Sequence, residues 1–318
     1  MAVETLPYVQ AAQIEAAPPE ARWLIRHVWA RAGVGIVGGQ PKLGKSWFGL
    51  DMAVSVASGT PCLGHFPVEQ TGPAVVYLAE DAPGDVRSRL DALCSHRRLD
   101  LRRLDLQVIT APVLRLDLLE DQQRLAATLD ALKPALVVLD PLVRMHRLDE
   151  NAAADMALLL GTLRELQRTY DVAIALVHHA SKKHRRRPGQ ALRGSSDLHA
   201  FVDSLAYLAR ERDALRLHLE HRSAASPDPV EIRLVQGDAT HLELVSPPVV
   251  DKPAVPLRDR VVECMAGAPG PLMRKELREL LRVNNQRLGE ALDDLERQGQ
   301  VVRGDGGWRL PEPQVCLL

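Results

Sequence analysis

Hydrophobic and polar positions along this chain fall into two kinds of block. Short runs at 74–78, 135–139 and 172–177 are continuously apolar, and 34–37 is the same apart from Gly35. Runs of that length without alternation predict strands buried on both faces, as in a parallel sheet. Leu106, Val108 and Ile109 mark another strand. The runs at 74–78, 135–139 and 172–177 stop abruptly at polar groups: Glu80 and Asp81 after the first, Asp140 after the second, His178 and His179 after the third. Between the runs the apolar spacing is helical: after residue 46, after Asp81, over 121–132 and over 156–170. Gly59 with Pro61 predicts the stop of the first helix, and Pro134 that of the third. Within the second helix, Asp85 and Arg89 are spaced as a surface i,i+4 pair. Segments 202–208, 215–219 and 230–235 alternate and predict closing antiparallel strands. Strands alternating with helices specify an α/β fold with a mainly parallel sheet.

The pattern also divides the chain. Residues 1–22 are polar and Ala/Pro-rich and read as an arm; 23–245 form the α/β domain. A linker at 246–256 carries Pro247, Pro248 and Pro253. Over 257–311, three helical segments (257–265, 273–281, 284–298) precede two short β runs around Gly304, Asp305, Gly306 and Gly307. That is the outline of a small winged-helix (α+β) domain, followed by a tail at 312–318. Asn284, Asn285, Gln286 and Arg287 open its third helix with side chains suited to base edges, and Arg303 and Arg309 could set a wing on phosphate. Glu290, Asp293, Asp294 and Glu296 make the rest of that helix acidic, which repels DNA.

Composition narrows the class. Of 318 residues, 46% are apolar and 25% charged, enough for a full core. A net charge of −1 excludes a uniformly basic nucleic-acid binder, so any such contact rests on local patches. At 3% aromatic residues, base stacking is not expected to be the main binding mode. Cys62, Cys94, Cys264 and Cys316 lack metal or redox spacing and suit reduced thiols. The start has no signal-peptide pattern, and no run nears the ~18 apolar residues of a membrane span. The expectation is a soluble, cytoplasmic protein without a membrane partner.

The densest chemistry lies between the first strand and first helix. Gly39, Gln40, Pro41, Lys42, Leu43, Gly44, Lys45 and Ser46 spell G-x-x-x-x-G-K-[ST], the phosphate-cradling P-loop. Its glycines let backbone N–H groups approach phosphate oxygens, and the helix N-terminus adds unpaired donors. Lys45 is expected to reach the β- and γ-phosphates and the Ser46 hydroxyl to ligate Mg²⁺, and Trp47 is counted with the nucleotide-binding residues. The ligands implied are a nucleoside triphosphate, ATP, and Mg²⁺.

With the P-loop, the strand ends at Glu80, Asp140 and His179, and the later Leu192-Arg193-Gly194-Ser195-Ser196, the chain resembles the RecA-like hexameric ATPases. It is similar in particular to the RepA-type replicative helicases and, more distantly, to DnaB-like helicases; the resemblance covers roughly 23–240. It implies a Mg²⁺-holding role for Asp140 and a catalytic role for Glu80, with Asp81 the competing acid. It implies γ-phosphate sensing by His179. It also implies an arginine finger from a neighbouring copy: Arg222, or alternatively Arg210 or Arg212. The loop after the His179 strand would face single-stranded DNA; here it holds Lys182, Lys183, Arg185, Arg186 and Arg187. The implied function is an ATP-hydrolysing motor on single-stranded DNA, assembled as a hexameric ring and serving plasmid, phage or mobile-element replication or DNA repair. The alternative is an ATP-switched regulator or scaffold acting through the C-terminal module. Kinase chemistry ranks third, because an acid at Glu80 suits water activation better than transfer to a hydroxyl.

Overall fold

The computed structural model describes residues 5, 6, 8–14, 18–150, 152–179, 201–211, 213–245, 257–268, 270–281, 285–304 and 306–311. The chain divides into two compact units, Met1–Pro248 and Val249–Leu318.

In the first unit, a hairpin of β1 (Trp23–Ile25) and β2 (Trp29–Ala30) precedes β3 (Val34–Gly39) and α1 (Lys45–Ser58). Then come β4 (Ala74–Leu78), α2 (Pro83–Arg97), β5 (Leu106–Val108), α3 (Leu119–Leu132) and β6 (Leu136–Asp140). The unit continues through α4 (Ala153–Tyr170), β7 (Ala173–His179), β8 (Ser204–Glu211), β9 (Ala214–His221), β10 (Val230–Val235) and β11 (His241–Leu244). Among the described residues nine strands make one sheet, ordered β11-β10-β9-β8-β3-β7-β6-β4-β5. From β8 to β5 the neighbours run parallel; from β8 outward to β11 they run antiparallel.

Residues 202–208 do begin the expected antiparallel set, since β8 pairs antiparallel with β9, but the strand also joins that set to the parallel sheet. This strand lies parallel to β3, with Gly35 opposite Ser204 and Gly39 opposite Leu208. Close approach is possible because β3 is glycine-rich: a Cβ on Gly35 would lie 2.4 Å from the Ser204 carbonyl oxygen. Alternation along a single strand reports which residues face the core, and carries no information about the direction of the neighbour.

Two apolar layers sandwich the sheet. On one face, Phe48, Leu50, Met52 and Val54 of α1 and Val86, Leu90 and Leu93 of α2 pack on Val37, Val76, Val138 and Val177. On the other, Leu125 and Leu129 of α3 and Met156, Leu159, Leu160 and Leu163 of α4 pack on Val34, Ile36, Val75 and Leu139. Side chains of the size of Phe48, Leu50 and Met52 contribute about 1.5–3 kcal/mol each when fully buried. Helix α1 ends where Gly59 turns left-handed (φ 76°) and donates its N–H to the Ser55 carbonyl at 2.8 Å.

A polar network sits inside the first layer and ties α1 to α2. Arg97 pairs with Asp51 and donates to Ser55 Oγ at 2.7 Å and Thr60 Oγ1 at 2.9 Å. The other Asp51 oxygen accepts the Leu63 N–H at 2.9 Å. Arg89 also departs from its expected pairing with Asp85: both its terminal nitrogens go to Asp81, at 2.7 and 2.9 Å. A two-pronged contact holds better than one exposed i,i+4 pair, and Asp81 precedes the helix where it can turn back onto Arg89.

The second unit contains α5 (Leu257–Ala266), α6 (Arg274–Leu281) and α7 (Asn285–Arg297), then a hairpin of β12 (Val302–Gly304) and β13 (Gly307–Arg309). Leu272 bridges to Trp308, and Val261, Leu277, Leu288, Leu292, Leu295 and Trp308 form its core. Asn284 lies outside the described residues, as do the side chains of Asn285, Gln286, Arg287 and Glu290. Among the described residues no helix is long and apolar enough to cross a membrane.

Candidate nucleotide-hydrolysis site

The site forms where β3 runs out into α1. Three residues around the turn adopt positive φ: Gly39 (147°), Lys42 (65°) and Gly44 (87°). Gly39 has no alternative, since a Cβ there would lie 2.5 Å from the Leu208 carbonyl oxygen. Gly44, in the left-handed region, is the N-cap of α1, so the first turn of the helix opens toward the loop. Gln40, Pro41 and Lys42 are exposed while Leu43 is buried and anchors the loop. The loop therefore presents backbone with positive φ values and a helix N-terminus, the arrangement that favours phosphate.

Lys45 is buried at 5% exposure and its ammonium donates to the Gln40 carbonyl at 2.8 Å, folded back over its own loop. Burial pulls its pKa below the usual lysine value, and the nearby Asp140 carboxylate opposes that. Asp140, the last residue of β6, is 7% exposed and its pKa is pushed up to about 6. Burial is the main cause, and the Asp81 and Glu80 charges add to it; the Ser46 hydroxyl bond and Lys45 act the other way. One Asp140 oxygen, Oδ2, is buried without a hydrogen-bond partner among the described residues. An orphaned carboxylate oxygen beside a hydroxyl and an ammonium fits a divalent cation. Among the described residues no cluster of three or more His, Cys, Asp or Glu groups could hold a metal. Mg²⁺ takes one or two protein ligands and completes its shell with phosphate and water.

Strand periodicity explains why these groups meet. On β6 and β7, Val138 and Val177 face the α1 layer, so Asp140 and His179, each two residues on, share that face. His179 lies opposite Gly39 in the β3–β7 register. Glu80 follows two residues after β4 and accepts from Arg144 Nε at 2.6 Å. His178 takes the other face, fully buried, where its ring comes within 3.7 Å of Glu150 Oε1; His146 Nε2 is 4.0 Å from the same oxygen. Trp47 is half-buried in the first turn of α1, with the Arg89 guanidinium 5.9 Å from its ring centre.

Arg222 is not brought to this end of the sheet. Arg222 follows β9 where His221 is level with Ser204, and its backbone N–H donates to the Asp203 carbonyl at 3.0 Å. Ser204 is level with Gly35, four residues before Gly39, which sets Arg222 at least about 13 Å along the strands from the loop. Its guanidinium is 3.9 Å from Asp203 and 60% exposed. Arg210, in contrast, lies beyond Leu208 on the P-loop side. Arg212 lies outside the described residues, as do Lys182, Lys183, Arg185, Arg186 and Arg187. A cavity of about 370 Å³ near Arg222, bounded by Arg22, Trp23, Arg31, Asp203 and His221, holds none of the nucleotide residues.

Sequence reading missed three partners here: Arg144 on Glu80, Arg89 on Asp81, and Leu242 of β11, whose Cδ2 would lie 3.5 Å from a Cβ on Gly44. For Arg144 the only signal is its place four residues after Asp140. Leu242 carries none.

A P-loop helix seated on a mainly parallel sheet, with a buried acid at the end of β6, two strands from β3, defines a RecA-like P-loop ATPase. The AAA domain family model matches residues 2–185, and the chain belongs to that family. Among solved structures it is similar to a DnaB-like replicative helicase described with its interactions with primase, at 13% identity and a TM-score of 0.51. That match covers 67% of this chain, which spans 57% of the helicase chain. It is also similar to the RadB recombinase at 18% identity and a TM-score of 0.48, covering 69% of this chain and 93% of that one.

Proposed function

We propose that this ATPase is a motor on single-stranded DNA, a RepA-like helicase working as a ring of identical copies. The observation that supports the reading best is the meeting of Lys45, Ser46 and Asp140 at the mouth of the P-loop, with the Glu80 charge acting on Asp140. In this reading Lys45 leaves the Gln40 carbonyl for the β- and γ-phosphates. Ser46 and Asp140 would hold Mg²⁺, which when bound neutralises phosphate charge. Glu80 orients the attacking water and takes its proton, while His179 at the edge of the loop reports the γ-phosphate. Arg222 would act on a neighbouring copy. The cationic run of Lys182, Lys183, Arg185, Arg186 and Arg187 follows β7 in sequence and supplies contacts to backbone phosphates. Replication or repair of a plasmid, phage or other mobile element is the setting such a motor suits.

The test is ATP hydrolysis by the purified chain with and without single-stranded DNA, followed by strand displacement, with Lys45→Ala as the inactive control. Stimulation that disappears on charge reversal of Arg185, Arg186 and Arg187, with basal hydrolysis retained, is the expected result. Hydrolysis indifferent to DNA would refute the motor. One observation favours a second reading: Val249–Leu318 is a compact unit of its own. There ATP sets the assembly state, and that unit, read as a winged helix, binds DNA or a protein without unwinding. ATP-dependent change in mass without strand displacement would select it.

A further inference from the structure

The two acids after β4 are held in different ways. Asp81 is gripped by both terminal nitrogens of Arg89, and that pair is only 27% and 23% exposed. Glu80 is held by a single nitrogen, Nε of Arg144, in a pair that is 63% and 47% exposed. Arg144 closes the short 3₁₀ turn Leu142–Arg144 directly after the Asp140 strand. Leu142 and Met145 on either side are fully buried, and the Met145 carbonyl accepts the Leu116 N–H at 2.7 Å. The backbone of the turn is therefore fixed, while the Arg144 side chain projects outward and can swing.

A carboxylate acting as a base must offer an oxygen lone pair to the attacking water. In this structure one N–H of Arg144 donates to Oε1 of Glu80 and ties the carboxylate to the turn after β6, leaving Oε2 without that bond. Resting on the reading of Glu80 as the base, we infer that Arg144 is a positioning residue that parks Glu80 away from water and restrains hydrolysis in the resting chain. The hold is weak by construction. An exposed single-nitrogen pair biases the Glu80 side chain by no more than about five-fold, so it slows turnover without abolishing it and is easily released. Asp81, gripped twice and half as exposed, is the fixed member of the pair.

The test is single-turnover ATP hydrolysis with Mg²⁺, comparing the intact chain with Arg144→Ala, Arg144→Gln, Arg144→Lys, Glu80→Gln and the Glu80→Gln/Arg144→Ala double variant. Arg144→Ala and Arg144→Gln are expected to raise the rate of the chemical step roughly two- to five-fold at unchanged affinity for a fluorescent ATP analogue. Arg144→Lys is expected between them and the parent. Since the side chain is mostly exposed, melting curves should superimpose, and a structural role would leave the rate and shift the melt. An unchanged or lower rate in both Arg144→Ala and Arg144→Gln overturns the parking role. Hydrolysis at the parental rate by Glu80→Gln overturns the reading of Glu80 as the base, whatever the Arg144 variants do.

Discussion

Replacing Arg97 by Met is the sharpest probe of what holds the P-loop helix in place. The Arg97 and Asp51 side chains are 8% and 2% exposed, so the pair lies in the interior. Removing the guanidinium leaves the Asp51 carboxylate with the Leu63 N–H at 2.9 Å and strips a donor from Ser55 and Thr60. Breaking one side of a buried pair costs about 3–5 kcal/mol, because a charge stays desolvated with little compensation. A domain holds only about 5–15 kcal/mol in total. For a unit of this size the melting temperature should fall on the order of 10 °C. Urea unfolding followed by circular dichroism measures the loss. An Asp51→Leu/Arg97→Met double variant, with neither charge left, should recover most of it. A loss below about 1 kcal/mol in the single variant, or a double variant no more stable than the single, would refute the reasoning.

Gly39→Ala should destabilise by roughly 2–4 kcal/mol, because the added carbon meets a backbone carbonyl at 2.5 Å that cannot rotate away. Gly44→Ala should cost less, since its Cβ meets only Leu242 at 3.5 Å and the strain is in φ alone; denaturation of the two variants side by side ranks them. His221 gives a pH dependence. Burial holds its pKa down to about 4; its bond to the His27 carbonyl raises it, and the His27 charge lowers it. The unfolded chain, titrating near 6.5, then binds the extra proton between those values. This contribution to stability is complete above about pH 6.5 and is lost as pH falls toward 4, by at most about 3 kcal/mol. His221→Gln should flatten the fall in melting temperature between pH 7 and 5; an unaltered slope would show that His221 is not the source.

The repeated apolar runs made the parallel core legible without any structure, because burial on both faces leaves no room for polar positions. The P-loop was legible for a different reason: phosphate binding by backbone demands glycines at set intervals and a cation beside them. The strand-end acids were legible as the points where continuous apolar runs stop abruptly at a charge. Tertiary structure alone decided the rest. Arg97 finds Asp51 from 46 residues away, Leu242 reaches Gly44 from the far edge of the sheet, and Arg144 meets Glu80 across 64 residues. The direction of β8 also emerged only from its pairing with β3. A period of two or of 3.6 reports which side of an element is apolar. Which charged side chains meet across elements depends on how the layers stack, and no spacing along the chain encodes that.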